Sequence, residues 1–362
     1  MRILHVEAGR HLYGGAQQVL YLMEVLNRWG HENLLVCPVG SEIAERARAV
    51  AEVVALPMSG DLDALLYGRL RAVAKRFNPH VIHGHSRRGA DLYPGLVAAG
   101  LGVRSVLSRR VDNREPVWLA RFRASLFDRV VGISQGIVEV QRSLGVPSSK
   151  LVCVRSAVDP TPFLRPIDRA ALRADLGLPS EARIIAVVAQ LIERKGHRLL
   201  LESLEPLWSV YPDWHVLFYG RGPLESDLRS EIVRRGWSDR VRLMGFVPHL
   251  ADHLGGLDLL VHPAYAEGLG VSLLQAAAAG LPIISTQVGG IPEAVLDGEG
   301  GLLLPPGQSR PLTQALRTLM DSEALRIAMG AAGRRRVLQE FSIEEMARGN
   351  LAVYQSLLDV KS

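Results

Sequence analysis

Residues 266–282 read AEGLGVSLLQAAAAGLP, a carboxylate followed by a Gly-Leu-Gly turn and a helix of small residues. The first N–H groups of a helix have no partner inside it, and glycine just ahead of them lets a ligand approach the backbone. Gly268 and Gly270, with Leu269 and Val271, therefore predict an anion seat at a helix start, where the aligned peptide dipoles favour negative charge. Gln275 lies further along that helix, so its amide reaches a group continuing past the anion, such as a ribose. Glu267 meets whatever is attached on the other side, and a carboxylate accepts from two sugar hydroxyls at once. The expected ligand is a base, ribose, diphosphate and sugar laid along one segment.

Two upstream stretches repeat the arrangement. VVAQLIERKGHR puts Arg194 and Lys195 between a strand and a helix, and FYGRGPL puts Gly220 and Gly222 at the end of the next strand. Two cations beside fixed N–H donors make a strong diphosphate site. Near the N-terminus, Gly14 and Gly15 open another helix whose free N–H groups suit an anion, although a plain strand-to-helix turn explains them nearly as well.

These stretches sit in two halves with one grammar. RILHVEAG, HENLLVC, HVIHGHS, RSVLSRR and RVVGIS are short apolar strands separated by helical segments. The pattern restarts after the proline-rich AVDPTPFLRPID (157–168) with RIIAVVAQL, HVLFYG, RVRLMG, LDLLVHP and LPIISTQ. Helices are expected at 197–210, 223–235, 271–279 and 311–339. Alternating strands and helices imply parallel sheets covered on both faces. The expected fold is thus α/β, with two facing Rossmann-like doubly wound domains at 1–162 and 163–342, and a ligand cleft between them. A last helix, 343–362, carries Leu351, Tyr354 and Leu358 near one stripe.

Composition narrows the function. The chain has 362 residues, 48% apolar and 22% charged, an ordinary globular balance with material for two cores. Cys37 and Cys153 lie in apolar runs and read as buried thiols of a reducing compartment. The N-terminus lacks the roughly 7–15-residue apolar segment of a signal peptide, and no apolar run nears the ~20 residues of a membrane span, so a cytoplasmic protein is expected. Thirteen Lys or Arg against four Asp or Glu between Arg69 and Arg129 exceed the net charge of +5 of the whole chain. Without a recognition motif or interleaved aromatics, nucleic acid is not the expected partner. An anionic acceptor or membrane surface fits better. GRHLYGGAQ is not a dinucleotide fingerprint, and LLVCPVG lacks the acidic residue that holds a ribose, which argues against a dehydrogenase. Asp61-Leu62-Asp63 matches a metal-binding DxD pattern, but it precedes a helical pattern and reads as an N-cap with a first-turn acid. His83 and His85 share a strand face with no third ligand evident, so no metal is expected.

GGAQ (14–17), HVIHGHS, DRVVGISQGI (128–137), RKGH (194–197), GRGPL (220–224), EGLGVSLLQA (267–276) and VGGIPE (288–293) occur in this order along nearly the whole chain. In them the sequence resembles the family 4 glycosyltransferases of GT-B fold. The resemblance implies a retaining, metal-independent transfer from a nucleotide-diphosphate sugar, UDP-linked first and GDP-linked second, to a hydroxyl acceptor. It implies Lys195 on the diphosphate, Glu267 on the transferred sugar, the backbone of Leu269, Gly270 and Val271 on the distal phosphate, and Gly15 in a loop closing over the diphosphate. His85 would stand near the reacting carbon, and Val247 among the donor-binding positions. Arg87, Arg88, Arg109 and Arg110 would face an anionic glycan or lipid-linked acceptor. Two positions depart from the pattern: Ala189-Gln190 stands where a Gly-Arg pair is common, with Arg194 able to supply the charge, and Gln275 replaces a second glutamate. Alternatives are a soluble small-molecule acceptor, or a sugar-nucleotide-binding protein without turnover.

Overall fold

The computed structural model of the chain describes residues 1–12, 14–85, 89–110 and 115–359. The chain divides into two compact units, Met1–Ala157 with Ile343–Ser362, and Val158–Ser342.

The first unit is built on β1 (Arg2–Val6), β2 (Glu32–Pro38), β3 (Glu52–Leu56), β4 (Val81–Gly84), β5 (Arg104–Arg109), β6 (Arg129–Gly132) and β7 (Leu151–Cys153). Their order is β3-β2-β1-β4-β5-β6-β7, with every pairing parallel. Strands covered on both faces read as continuous apolar runs, and β1, β2 and β4 are buried along almost their whole length. The order reverses between β1 and β4, where His5 lies beside His83 and Val6 beside Gly84. Helix Ile343–Asp359 packs on this sheet, burying Met346, Ala347, Val353, Tyr354 and Leu357 against Ile3, Leu22, Leu26, Val81 and Val106. The buried stripe thus differs from the expected one: Tyr354 is central, while Leu351 and Leu358 lie half-buried at its margin. Gln18 secures the end of the unit, its amide donating to Ala157 O at 2.8 Å and accepting from Ala157 N at 2.7 Å.

The second unit contains β8 (Arg183–Val188), β9 (Trp214–Tyr219), β10 (Val241–Gly245), β11 (Leu259–His262), β12 (Ile283–Thr286) and β13 (Gly301–Leu304). Their order, β10-β9-β8-β11-β12-β13, is again wholly parallel, with the reversal between β8 and β11. Both units are therefore Rossmann-like, doubly wound α/β domains.

Three local readings change. β3 and β13, the short edge strands EVVAL and GLLL, go unread in the sequence. The helix expected over 197–210 ends at Leu204 and continues as a 3-10 turn, because Pro206 has no N–H to extend it. The helix expected over 311–339 is two, Ser309–Asp321 and Glu323–Glu340, broken at Ser322, whose hydroxyl caps the second by accepting from Leu325 N at 3.2 Å. Of the two thiols, Cys37 is buried and Cys153 only partly so, and they are not joined in a disulfide.

Because Tyr354 is fully buried in the first unit and bonds His83, Tyr354→Ala should destabilise that unit by about 3–5 kcal/mol. Urea unfolding followed by a probe in the first unit would show a lowered midpoint. An unchanged midpoint would mean that the C-terminal helix is not part of this core.

Candidate active site

In open parallel sheets, ligands bind beyond the carboxyl ends of the strands. In the second unit the loops leaving those ends are tied together. Leu191 N donates to Arg221 O at 3.1 Å, Tyr265 N to Arg194 O at 2.8 Å, and Gly290 N to Glu267 O at 3.3 Å. Gly270 precedes helix Val271–Ala278 at φ 88, a left-handed conformation natural to glycine, and no side chain caps the helix. Gly289 has a different reason: a Cβ there would stand 1.8 Å from the Glu267 carbonyl oxygen.

Glu267 is the hub. Its Oε2 receives the buried Lys195 ammonium and a hydrogen bond from His262 Nε2 at 2.9 Å, and its Oε1 accepts from Gly268 N at 3.1 Å. Burial pushes this carboxyl upward, but the hydrogen bond from His262 and the Lys195 charge prevail and hold it well below the usual carboxylate range. His262 is lowered, chiefly by burial, so it meets Glu267 as a neutral donor. The end of β11 is fixed by Ser285 Oγ donating to His262 O at 2.7 Å. In LDLLVHP nothing in the sequence alone marks His262 beyond its position at the carboxyl end of a buried strand.

The other donor-side candidates occupy the same ends of the sheet. Lys195 closes a 3-10 turn, Glu193–Lys195, after β8; Gly220 and Gly222 follow β9; and Val247 follows β10. Gln190 is exposed, while Arg194, Val247, Val271 and Gln275 are half-buried. Gly268, Leu269 and Gly270 are buried between Glu267 and the helix.

In the first unit, Gly14 and Gly15 begin helix Gly14–Arg28, with no acidic residue in its first turn. A Cβ on Gly15 would lie 3.4 Å from Arg110 Cδ, and Arg110 Nε donates to His85 O at 3.3 Å. Gly15, His85 and Arg110 are thus gathered beyond β1, β4 and β5. Burial pushes the Arg110 guanidinium down to about 10, with Glu7 opposing. Arg109 requires a correction: its side chain is buried and paired with Glu115 and, at 3.6 Å, with Asp91, so its charge is engaged inside the unit. Arg123 shares both acids and pairs with Asp61 at 2.8 Å. Arg87 and Arg88 lie outside the described residues.

The DLD segment also differs from expectation. Asp63 stands at the N-cap position of helix Ala64–Phe77 but makes no capping bond; it accepts from Ser59 N at 3.0 Å and pairs with Arg69 at 2.5 Å. Neither aspartate is a first-turn acid.

The third ligand missing for His83 and His85 exists, contributed by β1. His5, His83 and His85 are buried, with one ring nitrogen of each within 4.8 Å of the others. All of their ring nitrogens except His85 Nδ1 are engaged in hydrogen bonds, however. His83 bonds Tyr354 Oη at 2.6 Å and Ser108 Oγ at 2.9 Å, and His5 bonds Asn33 Oδ1 at 3.0 Å and His85 Nε2 at 2.9 Å.

Two doubly wound domains of this topology match the GT-B fold of glycosyltransferases, and comparison with known proteins agrees. Residues 13–161 match the Glycosyltransferase Family 4 model, and residues 168–336 match Glycosyl transferases group 1. The chain belongs to this glycosyltransferase family. It is 29% identical over 284 residues to the lipopolysaccharide core biosynthesis mannosyltransferase LpsB of Rhizobium meliloti (strain 1021), covering 76% of this chain and 79% of that protein. Against the core biosynthesis glycosyltransferase LpsE of the same organism it is 26% identical, covering 98% and 99%. A structure of Anabaena Alr3699/HepE in complex with UDP and glucose superposes with a TM-score of 0.87 at 18% identity, covering 98% of this chain and 100% of that one.

His5 and His197 are both buried and pulled from 6.5 to about 4 by burial, so each is neutral in the fold. The unfolded chain takes up these protons first as pH falls. Their stabilisation is complete above the unfolded value near 6.5 and is lost on the way down to about 4, each steepening the loss by about 1.4 kcal/mol per pH unit. Urea midpoints at pH 7.5 and 5.0 should therefore differ clearly, and equal midpoints would contradict neutral buried imidazoles.

Proposed function

We propose that the chain transfers a sugar, with retention and without a metal, from a nucleotide-diphosphate sugar to a hydroxyl of a lipid-linked glycan or lipopolysaccharide intermediate. The observation that carries this reading is the Lys195–Glu267 pair at the start of an uncapped helix. A cation beside the N–H groups of an uncapped helix start suits a diphosphate, and the adjoining carboxylate suits the sugar attached to it. The acceptor hydroxyl attacks on the face from which the diphosphate leaves, and a phosphate oxygen takes its proton. Lys195, Arg194 and the N–H groups of Gly270 and Val271 stabilise the charge growing on the leaving group. Glu267, kept ionised, holds sugar hydroxyls, and Gln275 holds the ribose as a neutral amide. Gln190 contributes no charge, and Arg194 takes that part.

A UDP-sugar is the first donor and a GDP-sugar the second. The bound UDP of the Anabaena structure supports the former, and the name of LpsB as a mannosyltransferase supports the latter. The core-biosynthesis names of LpsB and LpsE support an envelope acceptor. The first unit supports a lipid-borne one: Leu62, Leu65 and Trp118 are 97%, 77% and 70% exposed, and the Arg123–Asp61 pair ties their segments together. Arg121 lies exposed on the same helix as Trp118. Among the described residues no helix is long and apolar enough to cross a membrane, so the proposed attachment is peripheral, on the cytoplasmic face.

Thermal melting with UDP, GDP and ADP, each with and without EDTA, tests the donor site. A nucleotide at a hundred times its Kd stabilises by about 2.7 kcal/mol, a shift of several degrees that should survive EDTA. A shift abolished by EDTA would overturn the metal-free site, and none with any nucleotide would favour a protein without turnover. Lys195→Ala should lower turnover by about 10²–10³-fold, and a near-normal rate would remove Lys195 from the mechanism. Cosedimentation with vesicles containing anionic lipid at low salt should be weakened by Trp118→Ser. Absence of binding by the unaltered protein would favour a soluble acceptor.

A further inference from the structure

The histidine cluster of the first unit contains a directed chain of hydrogen bonds. Asn33 Nδ2 donates to His31 O at 3.0 Å and to Met23 O at 3.4 Å. Carbonyl oxygens only accept, so that end of the amide is the NH2 and the other end is the oxygen. Asn33 Oδ1 therefore accepts from His5 Nε2–H at 3.0 Å. A neutral imidazole carries one N–H, which leaves His5 Nδ1 as an acceptor. Its partner at 2.9 Å is His85 Nε2, and that nitrogen must be the donor. The proton of His85 is then on Nε2, and Nδ1 carries a lone pair. That Nδ1 is buried and has no hydrogen-bond partner among the described residues.

The surroundings keep both rings neutral. His5, His83 and His85 are fully buried and lowered, chiefly by burial, and the Arg110 charge disfavours a proton on His83 and His85. A buried acceptor without a donor costs free energy, and His85 lies beside Gly15 and Arg110 at the carboxyl ends of the strands. The orphan nitrogen is suited to a ligand O–H. It is unsuited to a phosphate oxygen, which has no proton to give.

We propose that Asn33 and His5 are positioning residues that hold His85 with its proton on Nε2, so that Nδ1 accepts a hydrogen bond from a substrate hydroxyl. This rests on the sugar-transfer reading with His85 in the site. A three-histidine metal centre is the competing arrangement, and it would need the His5–His85 hydrogen bond to be broken.

Two near-isosteric substitutions separate the halves of the relay. In His5→Asn the amide oxygen takes the place of Nδ1 and still accepts from His85. In His5→Gln the amide nitrogen takes the place of Nε2 and still donates to Asn33, leaving His85 without its acceptor. Long-range ¹⁵N–¹H NMR of histidine-labelled protein, with His85 assigned through His85→Asn, reads the tautomer directly. The Nε2–H form is expected in the unaltered protein and in His5→Asn, and a mixture of tautomers in His5→Gln. With UDP-glucose and GDP-mannose as probes, kcat should fall about tenfold or more in His5→Gln, recover in His5→Asn, and leave KM for the nucleotide sugar within about threefold.

An Nδ1–H or doubly protonated His85 in the unaltered protein overturns the proposal. So does a His5→Gln variant that keeps the Nε2–H form or full kcat. Zinc that shifts the His5 and His85 signals at stoichiometric concentration would establish the metal centre instead. An unaltered protein with the expected tautomer and no turnover of either probe supports the relay and counts against the transfer reading alone.

Discussion

The candidate donor site depends on a charge that is stable only because of what surrounds it. Glu267 is largely buried, and an isolated carboxylate in such a place would be protonated. Lys195, from the turn after β8, and His262, at the end of β11, keep it ionised. Those two strands are neighbours at the point where the strand order reverses. The doubly wound topology is therefore what brings a cation, a neutral imidazole and a carboxylate from distant parts of the chain to one place. Removing one partner of a buried pair leaves the other uncompensated, so the pair also commits the loops that carry it. Gly289 and Gly290 pack against the Glu267 backbone and complete that commitment from the β12 side.

The first unit solves a different problem with the same topology. At its own reversal between β1 and β4, three imidazoles are buried without charge; Asn33, Ser108 and Tyr354 serve nitrogens of His5 and His83, and His5 serves His85 Nε2. Tyr354 arrives from the last helix of the chain, so the cluster is completed only when that helix is packed. The acids and arginines of this unit are likewise spent on one another: Asp61, Asp91, Glu115, Arg109 and Arg123 form a connected network. Two arginines and three acids are thereby set against one another, so the basic excess of the sequence resides on other residues.

Much of this was legible in the sequence because it is local. A glycine turn before an uncapped helix, two cations after a strand, and alternation of apolar strands with helices are all readable within short windows. They led to Lys195, Glu267, Gly270 and the two doubly wound domains. What was not legible depends on register between strands. His5 reaches His85 only because β1 and β4 are paired, and His262 reaches Glu267 only because the loop between them folds back. Arg109 reads alone as a cation free to meet an acceptor and Asp61-Leu62-Asp63 as an N-cap with a first-turn acid, and only tertiary packing shows the partners they take. The edge strands β3 and β13 escaped for a related reason, since short segments carry too little periodicity to stand out.

The most direct measurement is a crystal structure with an intact, slowly hydrolysed nucleotide-diphosphate sugar bound. The expected result is that the Lys195 ammonium turns from Glu267 to a diphosphate oxygen, that Gly270 and Val271 N–H groups point at the distal phosphate, and that Glu267 accepts from sugar hydroxyls. A ligand bound elsewhere, with the Lys195–Glu267 pair intact, would contradict it.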